Sequence, residues 1–229
     1  MIVVVPRPAP GPPAVEAPRL PDDLTPVDGA ALGDDDRVDG ALWTEGTPDG
    51  GAQELAISAS RLSNVRLTGL DLDGLTLLDT VLDGCELSGA QLTGARWERV
   101  ALTGCRLSGL VASDLRARHV RFADCQLDGA WLRSATFDFC ELVGCDLTAA
   151  DLYGARLTRT RFLHCTLDRA ELSAAELDEV ALHGSSLDRL GGADALRGVV
   201  IASDQVLALA LPVLTARGIT IDDDYLDPR

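Results

Sequence analysis

The chain predicts an all-β solenoid. Three observations carry that expectation: an apolar period of five, a second inward column, and a twenty-residue sorting of that column. Positions 57, 62, 67 and so on to 187 hold only Ile, Leu, Phe, Trp or Ala, and most are Leu. A period of five fits neither the 3.6 of a helix nor the 2 of an ordinary strand. Units of this kind bury their apolar face only by stacking on one another. Two residues before each of these centres, from Leu55 to Ser185, stand only Cys, Ala, Val, Leu, Thr or Ser, which are expected to point inward too.

The small column sorts by twenty. Val65, Cys85, Cys105, Cys125, Cys145, Cys165 and Ser185 form one set. Ser60, Thr80, Val100, Val120, Cys140, Thr160 and Val180 form the next, and the remaining two hold only Leu and Ala. Four pentapeptides therefore make one turn. With coils stacked at roughly 4.8 Å, the span 57–187 predicts about six to seven coils and a rod about 30 Å long. Ala112 and Ala117 are the undersized centres, and Leu110, Leu115 and Val120 beside them are expected to conserve volume. Gly recurs two places after the centre, as at Gly84, Gly144 and Gly184, where a corner needs tight backbone conformations.

The units C-E-L-S-G at 85–89, A-Q-L-T-G at 90–94, C-D-L-T-A at 145–149, A-D-L-Y-G at 150–154 and A-E-L-S-A at 170–174 resemble those of pentapeptide-repeat proteins. The resemblance implies a right-handed quadrilateral β-helix. It is specific for fold and unspecific for function, since one fold hosts many roles.

The flanks read differently. Eight of the eleven prolines stand in the first 26 residues, so 1–37 is expected to be a Pro-rich, acidic arm, extended or disordered. Leu42 is in register with later centres, so Val38–Trp43 is expected to open a first partial coil of a β-helix spanning 38–202, with regular coils over 55–190. After Leu187 the register breaks at Leu190-Gly191-Gly192 and resumes shifted by one, with Leu196 and Ile201 as centres and Val199 inward. Residues 203–229 predict a C-terminal segment in which Ser203 N-caps a helix over Gln205–Arg217 that Gly218 ends. Pro212 should kink or split it, and a short strand at Ile219–Ile221 should precede an acidic tail. An open β-helix end exposes strand edges, so this segment is expected to cap the rod. Val206, Leu207, Leu209, Ala210, Leu211, Val213 and Leu214 are its candidate capping or dimer-forming residues, leaving monomer and homodimer both open.

Composition excludes several classes. No apolar stretch reaches the roughly 18 residues of a membrane span, and Ile2–Val5 lacks a positive n-region before it and stops at Pro6, so a cytoplasmic protein is expected. All six cysteines fall in the small inward column. Stacked thiols would point in parallel at about 4.8 Å, poorly placed for a disulfide, and no C-x-x-C occurs; free thiols acting as small hydrophobes are expected, with no metal and no cofactor. His119, His164 and His183 stand in outward or corner positions. His164 and His183, with Asp124 two coils away, form the one constellation resembling a metal or acid–base site, and a filled lumen offers it no pocket. No catalytic residue is therefore assigned.

Charge suggests where function lies. The chain has 36 acids against 20 bases, every base an Arg, for a net charge of −16. Residues 57–190 hold 19 acids and 14 Arg, so much of the excess lies in the flanks. Such a balance disfavours direct nucleic-acid binding. Sorting outward residues by side gives four faces. Face A, centred at 77–177, carries an arginine belt, and Arg156 over Glu176 and Arg159 over Glu179 are expected pairs. Face B, centred at 82–182, is neutral and partly apolar, and face C, centred at 67–187, is nearly balanced. Face D, centred at 72–172, is acidic through Asp71, Asp73, Asp114, Asp151 and Glu171, with Arg133 as its single base. Trp131 and Tyr153 point outward on face D one coil apart. With the five acids they form the candidate partner surface, unless the N-terminal arm packs over them. The quinolone-resistance and albicidin-resistance groups of the family are DNA-shaped competitors at DNA gyrase. The resemblance therefore implies a non-enzymatic interaction rod acting as a DNA-mimic-like modulator or protector of DNA gyrase or another type II topoisomerase. The alternative is a generic interaction scaffold or accessory protein without a topoisomerase role.

Overall fold

The computed structural model describes residues 15–221. In chain order the strands are β1 (Thr25–Asp28), β2 (Arg37–Asp39), β3 (Ala41–Glu45), β4 (Ala56–Ser58), β5 (Arg61–Ser63), β6 (Thr76–Asp83), β7 (Arg96–Thr103), β8 (Arg116–Ala123), β9 (Thr136–Asp138), β10 (Glu141–Val143), β11 (Arg156–Thr158), β12 (Arg161–Leu163) and β13 (Glu176–Asp178). All pair in parallel in one wound sheet. Regular coils join positions twenty apart, as in Leu77↔Trp97, Arg96↔Arg116 and Leu142↔Phe162. The strands line faces A and B, whereas faces C and D are joined by single bridges such as Glu86↔Arg106 and Asp71↔Gln91.

The solenoid has about 8 turns, more than the six to seven expected. The additional winding lies outside the regular period. β1 pairs with β3, β2 pairs with β4, and Ala52 is fully buried on face D beside Leu72 of the next coil. In this first coil the inward residue is Trp43 and not Leu42: Trp43 pairs with Leu62 and Val38 with Ile57, both nineteen residues apart. The Pro- and Gly-containing loop before Gly51 supplies the missing residue, and Gly51 bridges Asp71 twenty residues on. Trp43 closes that end of the lumen beneath the 3-10 turn Gly29–Ala31. A Cβ at Gly29 would lie 2.2 Å from its indole.

Part of the segment read as an arm is thus woven into the sheet as β1. The stretch before β1 lies along the corner between faces A and B. There the Arg19 amide donates to Asp79 Oδ1 at 3.1 Å, and the Glu16 amide donates to His119 Nδ1 at 3.4 Å. Three residues of chain cross two coils, each about 10 Å, so the backbone runs extended along the rod axis. The prolines at 6–13 lie outside the described residues.

That corner stacks large side chains. Asp79, Arg99, His119, Phe139 and Arg159 all hold positive φ of 48–54°. The strain is offset by contact: Arg99 donates from Nε and Nη2 to Asp79 at 2.7 and 2.8 Å, His119 stacks on Phe139 at 5.0 Å, and Arg159 Cζ lies 3.8 Å from the Phe139 centroid. Arg159 pairs with Asp138 at 2.9 Å, not with Glu179, because its side chain leans back onto the ring. The Arg99 guanidinium holds Asp79 below the usual carboxylate range, with the Arg19 amide acting in the same sense. A depressed folded pKa means stability present above the unfolded value near 3.8 and lost as pH falls through the folded one. Asp79→Asn is expected to cost about 2 kcal/mol at pH 7 in urea unfolding, with the difference from wild type shrinking below about pH 4.

The lumen is filled. Ala117 is compensated chiefly by Trp97, its neighbour one coil below, whose ring lies 6.1 Å from Phe122; both rings, with Leu110 and Leu115, are among the side chains lining a residual void of about 10 Å³. The buried Trp97 Nε1 has no hydrogen-bond partner among the described residues. The small column explains its own chemistry. Cys140 Sγ contacts the carbonyls of Asp138 and Ala117 at 3.5 Å each, and the Thr80 hydroxyl donates to Leu78 at 2.9 Å, so a weak donor is accommodated beside the turn carbonyls. All six cysteines are free and buried. Burial pushes Cys140 up to about 12, and the neighbouring Cys145 thiol together with burial pushes Cys165 up as well, which keeps both thiols neutral.

At the other end, Val200 bridges Ala181, so Ile201 follows one residue out of period. Ser203 does not N-cap a helix. It begins a 3-10 turn, Ser203–Gln205, and the Ala202 amide is taken by Gln205 Oε1 at 2.7 Å. Helix α1 (Val206–Ala216) follows and runs through Pro212 without splitting, then ends at Arg217 before Gly218 with φ 69°. Ile219–Ile221 form no strand and are exposed; the acidic tail lies outside the described residues. Gln205 Nε2 donates to Leu182 O and Ser185 O at 2.6 Å each, and Leu209 is buried against the last coil.

Candidate partner-binding face

The acids of face D have a structural task. In the bridge position before each centre, the carboxylate accepts the amide two residues on: Asp151 from Tyr153 at 3.0 Å, Glu171 from Ser173 at 2.7 Å, and Asp71 from Asp73 at 3.3 Å. Asp146 does the same for Thr148 on face C at 2.9 Å. A short acidic side chain closes a local turn around an amide that would otherwise face water. Asp73 accepts the Thr93 amide at 2.6 Å, and Gln53 Nε2 donates to Asp71 at 2.5 Å. Asp114 sits at a corner with φ 58°.

The structure brings Trp131, Asp151 and Tyr153 together. Val111, Trp131 and Asp151 follow one another in a column of bridges, and Arg133 and Tyr153 stand in the column beside it. Arg133 ties the two columns: its Nε donates to Asp151 Oδ2 at 2.6 Å, and its Cζ lies 5.7 Å from the Tyr153 centroid. Trp131 is 56% exposed and Tyr153 48%. The described part of the N-terminal segment contacts the A/B corner instead. Asp71 and Asp73 lie three coils from Trp131, about 14 Å along the axis. Arg133 was missed as a member of the patch, although its spacing of twenty from Tyr153 places it in the same column.

A second exposed apolar area is α1. Leu209 is buried and Leu214 half-buried, but Val206, Leu207, Ala210, Leu211 and Val213 face outward, Leu207 at 86% exposure. Leu207, Leu211 and Pro212 border a recess of about 560 Å³ between the helix and the last coil.

The histidines do not converge. His119 is only 7% exposed, beneath Glu16, and His164 leans over Gly184, where a Cβ would lie 2.6 Å from its Nδ1. Asp124 leans over Gly144 in the same way, which is why these corner positions lack a side chain. Among the described residues no three His, Cys, Asp or Glu side chains are grouped to hold a metal, and no helix is long and apolar enough to cross a membrane.

The repeat is recognised on its sequence as well as its geometry: a pentapeptide repeat region matches residues 114–191, and eight-copy pentapeptide repeats match residues 60–96, together about half of the chain. The chain belongs to the pentapeptide-repeat family. No curated protein matches it. Among solved structures it is similar to HetL, a pentapeptide repeat protein involved in heterocyst differentiation regulation from the cyanobacterium Nostoc sp. strain PCC 7120. Identity is 20% over 80% of this chain and 92% of HetL, with a TM-score of 0.45. It is also similar to a trypsin-treated form of QnrB1, a plasmid-mediated fluoroquinolone resistance protein, at 16% identity over 90% and 98% of the two chains with a TM-score of 0.38. Rfr23 from the cyanobacterium Cyanothece 51142 matches at 17% identity over 63% and 88%, with a TM-score of 0.25. The parallel solenoid with its filled lumen is the pentapeptide-repeat β-helix of that family.

Proposed function

We propose that this member of the family is a non-catalytic, cytoplasmic interaction rod that binds a protein partner through face D, centred on Trp131 and Tyr153. The observation that carries the reading is the exposure of two large aromatics, side by side, on a rod whose other large apolar side chains are nearly all buried outside α1. Exposed Trp and Tyr in rigid settings are typical interface anchors, and Arg133 with Asp151 holds them in place. With five acids against one Arg, face D presents a negative field.

The finer reading is that the partner is DNA gyrase or another type II topoisomerase, engaged by the acidic face of the rod. Purified gyrase is assayed for supercoiling with and without quinolone. The protein at micromolar concentration is expected to change inhibition or protect activity, and Trp131→Ala with Tyr153→Ala is expected to weaken the effect about 30-fold or more. An unchanged assay at that concentration removes the topoisomerase; an effect unchanged by both substitutions removes face D.

The exposed apolar side of α1 supports self-association. Its run Val206–Ala216 carries no charge, and a C2 contact between two such helices would cover Leu207 and Leu211. Leu207→Asp is expected to turn a dimer into a monomer in sedimentation velocity without unfolding the rod. A monomeric wild type at 100 micromolar, roughly ten times a 10 µM dimer constant, would refute it.

A further inference from the structure

Face A holds a feature that neither the partner patch nor the cap uses. Arg96 and Arg116 are directly opposed on β7 and β8, one coil apart. Like charges so placed destabilise a sheet. Several other arginines of the rod stand against acids one coil away: Arg106 with Glu86 at 3.1 Å, Arg121 with Glu141 at 3.6 Å and Arg156 with Glu176 at 2.8 Å. Arg96 and Arg116 make no ion pair among the described residues. The acids beside them are engaged, Glu98 with Arg99 at 2.5 Å, and Asp138 with Arg159 at 2.9 Å and Arg118 at 3.7 Å. In a chain of net charge −16, this leaves two adjacent guanidinium groups without an anion among the described residues.

They border a surface recess of about 520 Å³. Leu77, Trp97 and Ala117 line it from three successive coils, and Thr76 and Thr136 stand above and below the arginines in the same outward column.

We propose that this recess binds a phosphomonoester, with the phosphate held between Arg96 and Arg116. Two planar forks one coil apart, about 4.8 Å, can each offer paired N–H groups to one tetrahedral dianion. A lone carboxylate needs only one such fork. A polyanion needs a longer row, and this row ends at the two threonines, so nucleic acid is not the expected ligand. The ligand's remaining part would lie in the recess beside Leu78 and Thr136. The like-charge repulsion of the empty pair is relieved when the anion binds. A free small phosphomonoester is the source that a recess of this size suits, and a phosphorylated protein side chain shares the chemistry.

The test uses the full chain, with phenyl phosphate as the probe at constant ionic strength, read by calorimetry and by thermal unfolding. Wild type is expected to bind it saturably with a raised Tm, and Arg96→Gln and Arg116→Gln are each expected to lower affinity at least about tenfold. Without ligand, both variants should melt at or above the wild-type temperature, because the repulsion is gone. Arg96→Lys keeps the charge but not the fork and should also bind weakly, whereas Arg156→Gln serves as a control and should bind normally. A neutral peptide carrying one phosphoserine, run beside phenyl phosphate, decides the source by which binds more tightly. Equal binding by wild type and the Arg96→Gln, Arg116→Gln double variant, or an equal Tm rise with benzoate, overturns the proposal. So does a lowered melting temperature of both ligand-free single variants, which would make the pair structural.

Discussion

Trp97→Ala is expected to be among the most damaging single substitutions in the rod, costing about 3–5 kcal/mol in urea unfolding. The reason is specific to its column. Ala117 stands directly above it and leaves space that the indole occupies, with Phe122 6.1 Å away. Removing the indole enlarges a void now near 10 Å³ in a sheath of hydrogen-bonded coils that cannot easily collapse. Ala117→Leu alone should also destabilise, by about 1–3 kcal/mol, because it overpacks the same space. The double variant Trp97→Leu with Ala117→Leu should recover most of both losses, a coupling that independent sites would not show. Trp97→Phe should be much milder, since it also removes an indole N–H that has no partner among the described residues. A Trp97→Ala cost below about 1 kcal/mol would mean that the column packs in some other way.

Gln205→Leu is expected to cost about 3 kcal/mol and to promote end-to-end association. One side chain closes the last coil: its amide nitrogen satisfies the carbonyls of Leu182 and Ser185, and its oxygen accepts the Ala202 amide. Leucine of similar size leaves the Ser185 carbonyl and the Ala202 amide unpaired, and the Leu182 carbonyl with only the Ser185 amide at 3.3 Å. Each orphaned buried group costs on the order of 1–3 kcal/mol, tempered by fraying of the terminal coil. Light scattering at rising temperature should then show growth of oligomers before global unfolding. Gln205→Glu is a useful comparison, since it keeps the acceptor and loses both donations.

The solenoid, its four sides and its core columns were legible because a period of five leaves no other consistent burial pattern. The thiols followed from their column alone. The ends were not legible, because their offsets change: nineteen residues separate Trp43 from Leu62, so Leu42 matched the period while Trp43 took the core. The terminal helix was placed within two residues, but its cap was assigned to Ser203, while the tertiary contacts use Gln205. On face D the aromatics were identified by their outward register. The role of the acids was not, because their amide bonds depend on turn geometry that the period does not describe. Arg159 was paired by spacing with Glu179, yet the lean of its side chain onto Phe139 brings it to Asp138.

By itself, then, the sequence determined which side chains point inward and which face carries each outward residue, since inward and outward follow from position within five and within twenty. The tertiary structure decided contacts that this register leaves open: carboxylates against amides, Arg159 against Phe139 and Asp138, Gln205 against the last coil's carbonyls, and the N-terminal segment along the A/B corner. Those contacts depend on side-chain lean and, at the ends, on coil offsets of nineteen residues, which the period of twenty does not encode.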